Sequence, residues 1–455
     1  MPSTIFPQAN ERFQSYLIWP YSSSPESLPA SCRTLLNTGI LKFIQFSDLK
    51  NDIRSHTRGL TVLELRLRLS QRFASVDLDQ VYSLYGIASY IQSQHDSGNG
   101  SRRELIPNYS DSPSHAFTEI TLAHFEERQS LLPLSLSSYK HNHPNTPSWV
   151  IDWTVLQSDS ITFDNHLWTQ MYDKFHADRG PDTDTPVFHT ENERLHLQGF
   201  LVDEVELVVR YNQALEFSSF MEILRKYEPT AMYHGHQYHT WPEAYLRTIL
   251  VDGVRDYKLG ALNGGFNRLP ADDYTGKMQR LPFVLQPYCP WTIEDPDPVN
   301  PDDRNSLSEH DRMWGKCCWR GGENKTIPPA SPDRKDLANL ALTLQAQAKG
   351  ILSGRALFLT KRGYLGIAHK CVPGDGIYIV RGGRTPVILR ELQETSDDAG
   401  ERRTEQSKVD PDVGSEFKGD RQYRVVTDCY LHGFMDGEHN QEFSKEKGFS
   451  TLIIA

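Results

Sequence analysis

The chain has 455 residues, 38% hydrophobic and 11% aromatic, enough apolar material for two or three domains with cores of their own, which excludes a disordered scaffold. Its 59 acidic and 48 basic residues leave a net charge of −11. That balance argues against general nucleic-acid or anionic-membrane binding, because both need a basic surface against phosphate.

In chain order, residues 1–31 mix Pro and Ser with Phe6, Tyr16, Trp19 and Tyr21, as in an extended segment that packs onto something larger. Between Thr57 and Phe73, Leu63, Leu65, Leu67 and Leu69 alternate with charge as in a strand, while Leu60, Leu63 and Leu67 fall at helical spacing. Leu, Glu and Arg are good helix formers, so a helix is predicted there. A second helix is predicted over 79–91, with Val81, Leu84, Tyr85 and Ala88 on one face and Asp77 or Asp79 capping its start. The polar run 93–103 reads as a loop, and Ser112-Pro113 opens a third helix to about Glu127. Residues 195–210 alternate as one or two strands bent at Gly199, and helices are predicted over 214–227 and 241–254. The stretch 292–312 is polar and Pro-rich, and 333–349 reads as a helix stopped by Gly350. Beyond it come short β-branched and aromatic runs bounded by Gly or Pro, interrupted by a charged insert at 394–420 that is expected to be disordered. The fold class is therefore α+β. A helical N-terminal domain spans 1–160, a mixed α/β middle region 161–350, and a small C-terminal antiparallel β module 351–455.

No run nears the ~18 consecutive apolar residues of a membrane-spanning helix, and the first residues lack the basic and apolar regions of a secretory signal. Six scattered cysteines (Cys32, Cys289, Cys317, Cys318, Cys371, Cys429) fit reduced thiols, so a cytoplasmic protein is expected. His234, His236 and His239 lie close enough in sequence to suggest Zn²⁺, yet their spacing matches no standard ligand pair and no carboxylate completes the set. A solvated, aromatic-rich loop is the expectation, and no metal is assigned. The chain carries no nucleophile elbow, phosphate-binding loop or dinucleotide fingerprint, so any chemistry is expected to proceed without a cofactor. Tryptophans and tyrosines with polar neighbours suggest an apolar small-molecule pocket or, equally, core packing.

Several words recur together in order. Arg72-Phe-Ala-Ser-Val-Asp-Leu-Asp-Gln-Val-Tyr-Ser-Leu-Tyr-Gly-Ile-Ala is followed by Ile106-Pro-Asn-Tyr-Ser and Pro147-Ser-Trp-Val-Ile-Asp-Trp. Then come Val372-Pro-Gly-Asp-Gly, Gly382-Gly-Arg-Thr-Pro and a strand ending His432-Gly-Phe-Met-Asp-Gly-Glu. This order resembles the C-terminal region of fungal heterokaryon-incompatibility (HET) proteins, although Asp77 and Asp79 stand one place closer than the family's two acids. The HET domain's own opening word is not found ahead of Arg72, so the chain looks like the companion region without the signalling domain.

The resemblance implies two functions. Some HET-like proteins resemble pericyclases of secondary metabolism, including a norbornene-forming Diels-Alderase of terpenoid pathways, which implies a cofactor-free cyclase acting on an apolar small molecule. The alternative is an incompatibility or fungal immunity component that binds another protein, or an inactive paralogue. For a cyclase, Tyr364, Arg362 and Asp152 are expected to orient the substrate, and Trp149, Trp153, Tyr238 and Trp241 to bind it.

Overall fold

The structure, a computed structural model, describes residues 60–68, 74–93, 105–137, 141–155, 171–178, 186–211, 214–227, 231–236, 239–255, 266–269, 347–352, 354–392, 421–439, 442–443 and 448–455. The polar stretch 292–312, the insert 394–420, the first 31 residues, Tyr238, Trp314 and four of the six cysteines lie outside them. Cys371 and Cys429 are free and buried.

Among the described residues, four helices come first. α1 (Val62–Arg68) resolves the ambiguity between strand and helix, and a local motif decides it. Thr61 Oγ1 accepts from the Glu64 amide at 3.2 Å while the Glu64 carboxylate accepts from the Thr61 amide at 2.7 Å, a reciprocal capping box that starts a helix. α2 (Asp79–Ser93) begins at the expected residue, but the two acids point away from the cap. The Asp79 carboxylate takes the Tyr109 hydroxyl at 2.7 Å, and that of Asp77 lies 3.3 Å from His143 Nε2. In α3 (Pro113–Arg128) the Ser112 hydroxyl accepts from the His115 amide at 3.2 Å, with Pro113 in the first turn. α4 (Leu132–Leu136) follows and is buried throughout.

β1 (Phe188–Glu191) and β2 (Arg194–Arg210) then form a hairpin, and β2 is one continuous strand of 17 residues. α5 (Ala214–Arg225), α6 (Trp241–Ile249) and the short pair β3 (Gly253–Arg255) and β4 (Phe266–Arg268) follow. Residues 347–352 are helical, so the helix runs through Gly350 instead of ending there. Burial of Ile351 and Leu352 outweighs the ~1 kcal/mol cost of an internal glycine.

The remaining strands are β5 (Ala356–Thr360), β6 (Leu365–Ala368), β7 (Gly376–Val380), β8 (Val387–Glu391), β9 (Gln422–Leu431) and β10 (Ser450–Ile454). They form a sheet that closes on itself. The order β2-β5-β6-β9-β8-β7 is antiparallel at every step, and β7 returns to β2. β2 can serve both neighbours because it carries two register shifts, one between Leu201 and Asp203 against β7 and one between Val205 and Leu207 against β5. Such bulges bend a strand and let a small barrel turn its corner. The boundary expected at residue 350 therefore does not bound the sheet, since a strand from the middle region is a wall of the barrel. Gly199 marks a close approach, not a break in the strand: a Cβ there would meet the Ile379 carbonyl oxygen and Leu452 Cδ1, each at 2.8 Å.

Alternation along the strands separates three cores. Phe200, Phe358, Ile377, Ile379, Ile388 and Val426 point into the barrel. Leu357, Leu359, Leu365, Ile367 and Tyr430 face outward beneath α5, α6 and the 347–352 helix. Tyr378, Val380, Val387, Leu389 and Leu452 face outward beneath α1 to α4 and the segment around Trp149 and Trp153. β5, β6 and β7 are thus buried on both faces, which explains their near-continuous apolar runs.

Candidate functional site

Two loops meet at one end of β6 and β9. Residues 231–236 and 239–240 are pinched by a bridge between Met232 and Thr240 and by the Tyr233 amide donating to the His239 carbonyl at 2.7 Å. They dock on the His432-Gly-Phe-Met-Asp-Gly-Glu turn, where Gly433 has φ +87° and a Cβ would stand 1.7 Å from the Gly235 carbonyl oxygen. Only glycine permits that contact. The Tyr233 hydroxyl accepts from the Leu365 amide at 2.8 Å, and His439 Nε2 lies 3.1 Å from the Gly235 carbonyl oxygen.

Beneath the loop runs a chain of buried polar groups. Tyr430 Oη is 2.8 Å from His432 Nδ1, His432 Nε2 is 3.0 Å from His239 Nδ1, and His239 Nε2 is 3.5 Å from Glu243 Oε1. Burial holds His239 neutral, its pKa down to about 2, and depresses His432 well below the ordinary range. One proton order satisfies neutral rings: Tyr430 donates to His432, His432 to His239, and His239 faces the Glu243 carboxylate. Glu243 also receives Arg247, which pairs with Asp252 at 2.5 Å; Arg268 joins Asp252 at 2.6 Å to Asp436 at 2.5 Å. The expected solvated histidine loop is corrected here, because His239 is 4% exposed and bonded to a residue 193 positions away. The His236 and His239 rings stack at 3.6 Å, 5° from parallel. Among the described residues, the three imidazoles of this loop do not gather as a converging ligand set.

Above this chain the aromatic rings form a row. Tyr227 stacks on Trp241 at 3.7 Å; His234 lies 5.7 Å from Trp241 and 5.1 Å from Tyr364; Phe434 follows at 4.7 Å from Tyr364, and Phe443 at 5.7 Å from Phe434. The Arg362 guanidinium sits over Phe443 at 5.3 Å. Met232, His234 and Arg362 are exposed, whereas Tyr364 (8% exposed) and Trp241 (3%) are buried. Burial raises the Tyr364 phenol, and a hydrogen bond with Arg362 opposes that shift. Burial lowers His234, and a bond to the Arg362 backbone acts in the opposite direction. With one ring nitrogen on that backbone, a neutral His234 offers an acceptor, while Arg362 offers donors and a permanent charge.

Three of the residues expected from sequence, Tyr364, Arg362 and Trp241, thus fall together, and Tyr238 lies outside the described residues. The other three fall elsewhere. Asp152 accepts from the Asn142 amide at 2.6 Å, the His143 amide at 3.3 Å and the Thr154 amide at 3.0 Å, so its carboxylate ties down local backbone. Trp149 and Trp153 are fully buried under α1 to α4, and Trp149 Nε1 donates to the Glu193 carbonyl at 3.1 Å. His432, Tyr430 and Glu243 are not among the residues expected from the sequence, although His432 opens a word that carries the resemblance. A cleft between α1, α2 and α3 is lined by Thr61, Leu63, Tyr85, Leu105, Ile120 and His124, apart from this row.

Among the described residues, no helix is long and apolar enough to cross a membrane. No family model matches the chain, and no curated protein or solved structure matches it.

Proposed function

We propose that the protein is a cofactor-independent cyclase that closes rings in a terpenoid-type substrate by an intramolecular Diels-Alder reaction. The observation that carries this reading is the row of rings from Tyr227 to Phe443, with exposed cationic Arg362 and neutral His234 at its edge. A cycloaddition forms two carbon–carbon bonds from π electrons alone, so it needs neither nucleophile nor electron acceptor. It needs a surface that holds diene and dienophile in a near-attack conformer, and a donor that draws electron density from a dienophile carbonyl. Arg362 supplies the donor, Tyr364 Oη fixes its side chain, and exposed Met232 with half-buried Tyr227 supplies apolar surface over the buried rings of the row. Each 1.4 kcal/mol taken from the reaction's activation barrier is about tenfold in rate.

The test is deletion of the gene in the organism that carries it, followed by complementation. A product should disappear and an isomer of identical mass accumulate. Wild type should restore the product and Arg362→Ala should not, while folding as wild type because the side chain is exposed. An unchanged metabolite profile would refute the reading.

A second reading rests on a different face. Ile106 (78% exposed), Tyr109 (60%), Val76 (46%) and Ile87 (42%) border or lie on α2, and Tyr109 is held by Asp79 and by Tyr82 at 5.4 Å. Ordered, exposed apolar side chains of this kind suit a protein partner, as an incompatibility component would need. Tyr109→Glu should then abolish co-purification of that partner while leaving any cyclisation intact.

A further inference from the structure

The β1–β2 hairpin carries a constellation unrelated to the ring row. Its turn consists of two residues, Asn192 and Glu193, both in left-handed conformation at φ 51° and 63°, the tight turn that matches strand twist and fixes register. That register places His189 directly opposite His196, with ring centroids 4.2 Å apart and 25° from parallel. Glu191 lies two residues along β1 from His189 and so shares its face. One donor atom from each of His189, Glu191 and His196 lies within 4.8 Å of the others.

The opposite face of the hairpin is anchored. Leu195 and Leu197 are buried among α1 to α4, and Phe188 meets Phe125 at 5.3 Å. β10 pairs along the other edge of β2 over this same stretch, Ile453 beside His196. The strand backbones that present the three donors are therefore held in place from below and from the side. His189 and Glu191 are exposed and His196 half-buried, so an ion can reach them from solvent.

We infer that His189, Glu191 and His196 form a surface site for a divalent transition metal of the zinc, nickel and copper class. Two imidazoles and one carboxylate are the donor set these borderline ions select, whereas calcium and magnesium prefer all-oxygen shells. Ligand atoms around such an ion, each at about 2.1 Å, stand roughly 3.4 Å apart in a tetrahedron. Closure from at most 4.8 Å therefore takes no more than about 1.4 Å (4.8 − 3.4) of movement at the ends of the side chains. Three protein ligands leave at least one position for water. The bound ion joins β1 to β2 and so stiffens the hairpin.

The test is calorimetric titration of the chelator-stripped full-length protein with Zn²⁺, compared with His196→Ala, Glu191→Gln and the double variant His189→Ala/His196→Ala. The double variant should bind one equivalent fewer than wild type, a difference that sets aside any zinc held by histidines elsewhere. His196→Ala should weaken that equivalent at least tenfold, and Glu191→Gln by a smaller factor. Wild-type affinity at this site should also fall in acid, because protons compete with the metal for the imidazole nitrogens. The melting temperature should rise with Zn²⁺ in wild type by more than in the double variant. Equal stoichiometry and affinity in wild type and a folded double variant would overturn the proposal, as would equal binding of Ca²⁺ at this site.

Discussion

Replacing Gly433 with alanine tests the contact on which the candidate site is built. The new methyl would stand 1.7 Å from the Gly235 carbonyl oxygen, whereas real Cβ atoms essentially never approach within 3.0 Å, so the loops must separate by about 1.3 Å (3.0 − 1.7). An L-residue held at φ +87° adds roughly 1–2 kcal/mol. Separation also strains the His439–Gly235 and Leu365–Tyr233 hydrogen bonds, and each buried group left unpaired costs about 1–3 kcal/mol. The sum is roughly 3–8 kcal/mol, from 1–2 for the backbone and 1–3 for each of the two bonds. Gly374 provides the comparison, because it has φ +91° but nothing within 4 Å of a Cβ. Gly374→Ala should cost only the backbone part, roughly 1–2 kcal/mol. Urea denaturation of both variants, read as a shift of midpoint at constant slope, measures the difference. If Gly433→Ala is no less stable than Gly374→Ala, the two loops do not meet as described.

Other expectations follow from the same geometry. Asp252→Asn removes the charge that Arg247, 2% exposed, and Arg268 share, and should cost about 3 kcal/mol in urea, since a buried cation then loses its 2.5 Å carboxylate partner. Asp375→Ala loses both Arg390 bonds, at 2.6 and 2.9 Å, and the Val372 amide bond at 2.8 Å; with Arg390 partly open to water, a loss of about 2 kcal/mol is expected by the same assay. His124 and His369 are lowered, chiefly by burial, from 6.5 to about 4. The unfolded chain takes up those protons near pH 6.5 and the folded chain only near 4, so stability is full above 6.5 and falls as pH drops toward 4. At ~1.4 kcal/mol per tenfold change in proton affinity, His124 contributes at most about 3 kcal/mol to that fall. Urea midpoints at pH 7 and 4.5 should differ less in His124→Gln than in wild type.

Local signals were legible in the sequence and long-range ones were not. Ser112-Pro113 at the start of α3 and the apolar face of α2 act within a few residues, and the helices appear where those signals place them. At α1 the leucine pattern fits two periods, and the Thr61–Glu64 capping box removes the ambiguity. The use of β2 as a wall of the barrel is invisible locally, because β7 and β5 lie more than 140 residues along the chain. The same reason hid the site. His239 read as part of a polar loop until His432 was brought beside it, and Asp152 read as an available carboxylate until the amides of Asn142 and His143 closed on it. Tyr364, Arg362 and Trp241 could be singled out by residue type, but the ring row that joins them depends on the fold.

The most direct measurement of the central claim uses purified full-length protein and an extract from the deletion strain, incubated without added cofactor and analysed by chromatography with mass spectrometry. Conversion of an accumulated isomer into the missing product of identical mass, by wild type and not by Arg362→Ala, is the predicted result. An isomer that stays unconverted in the presence of folded wild-type protein would contradict the cyclase reading.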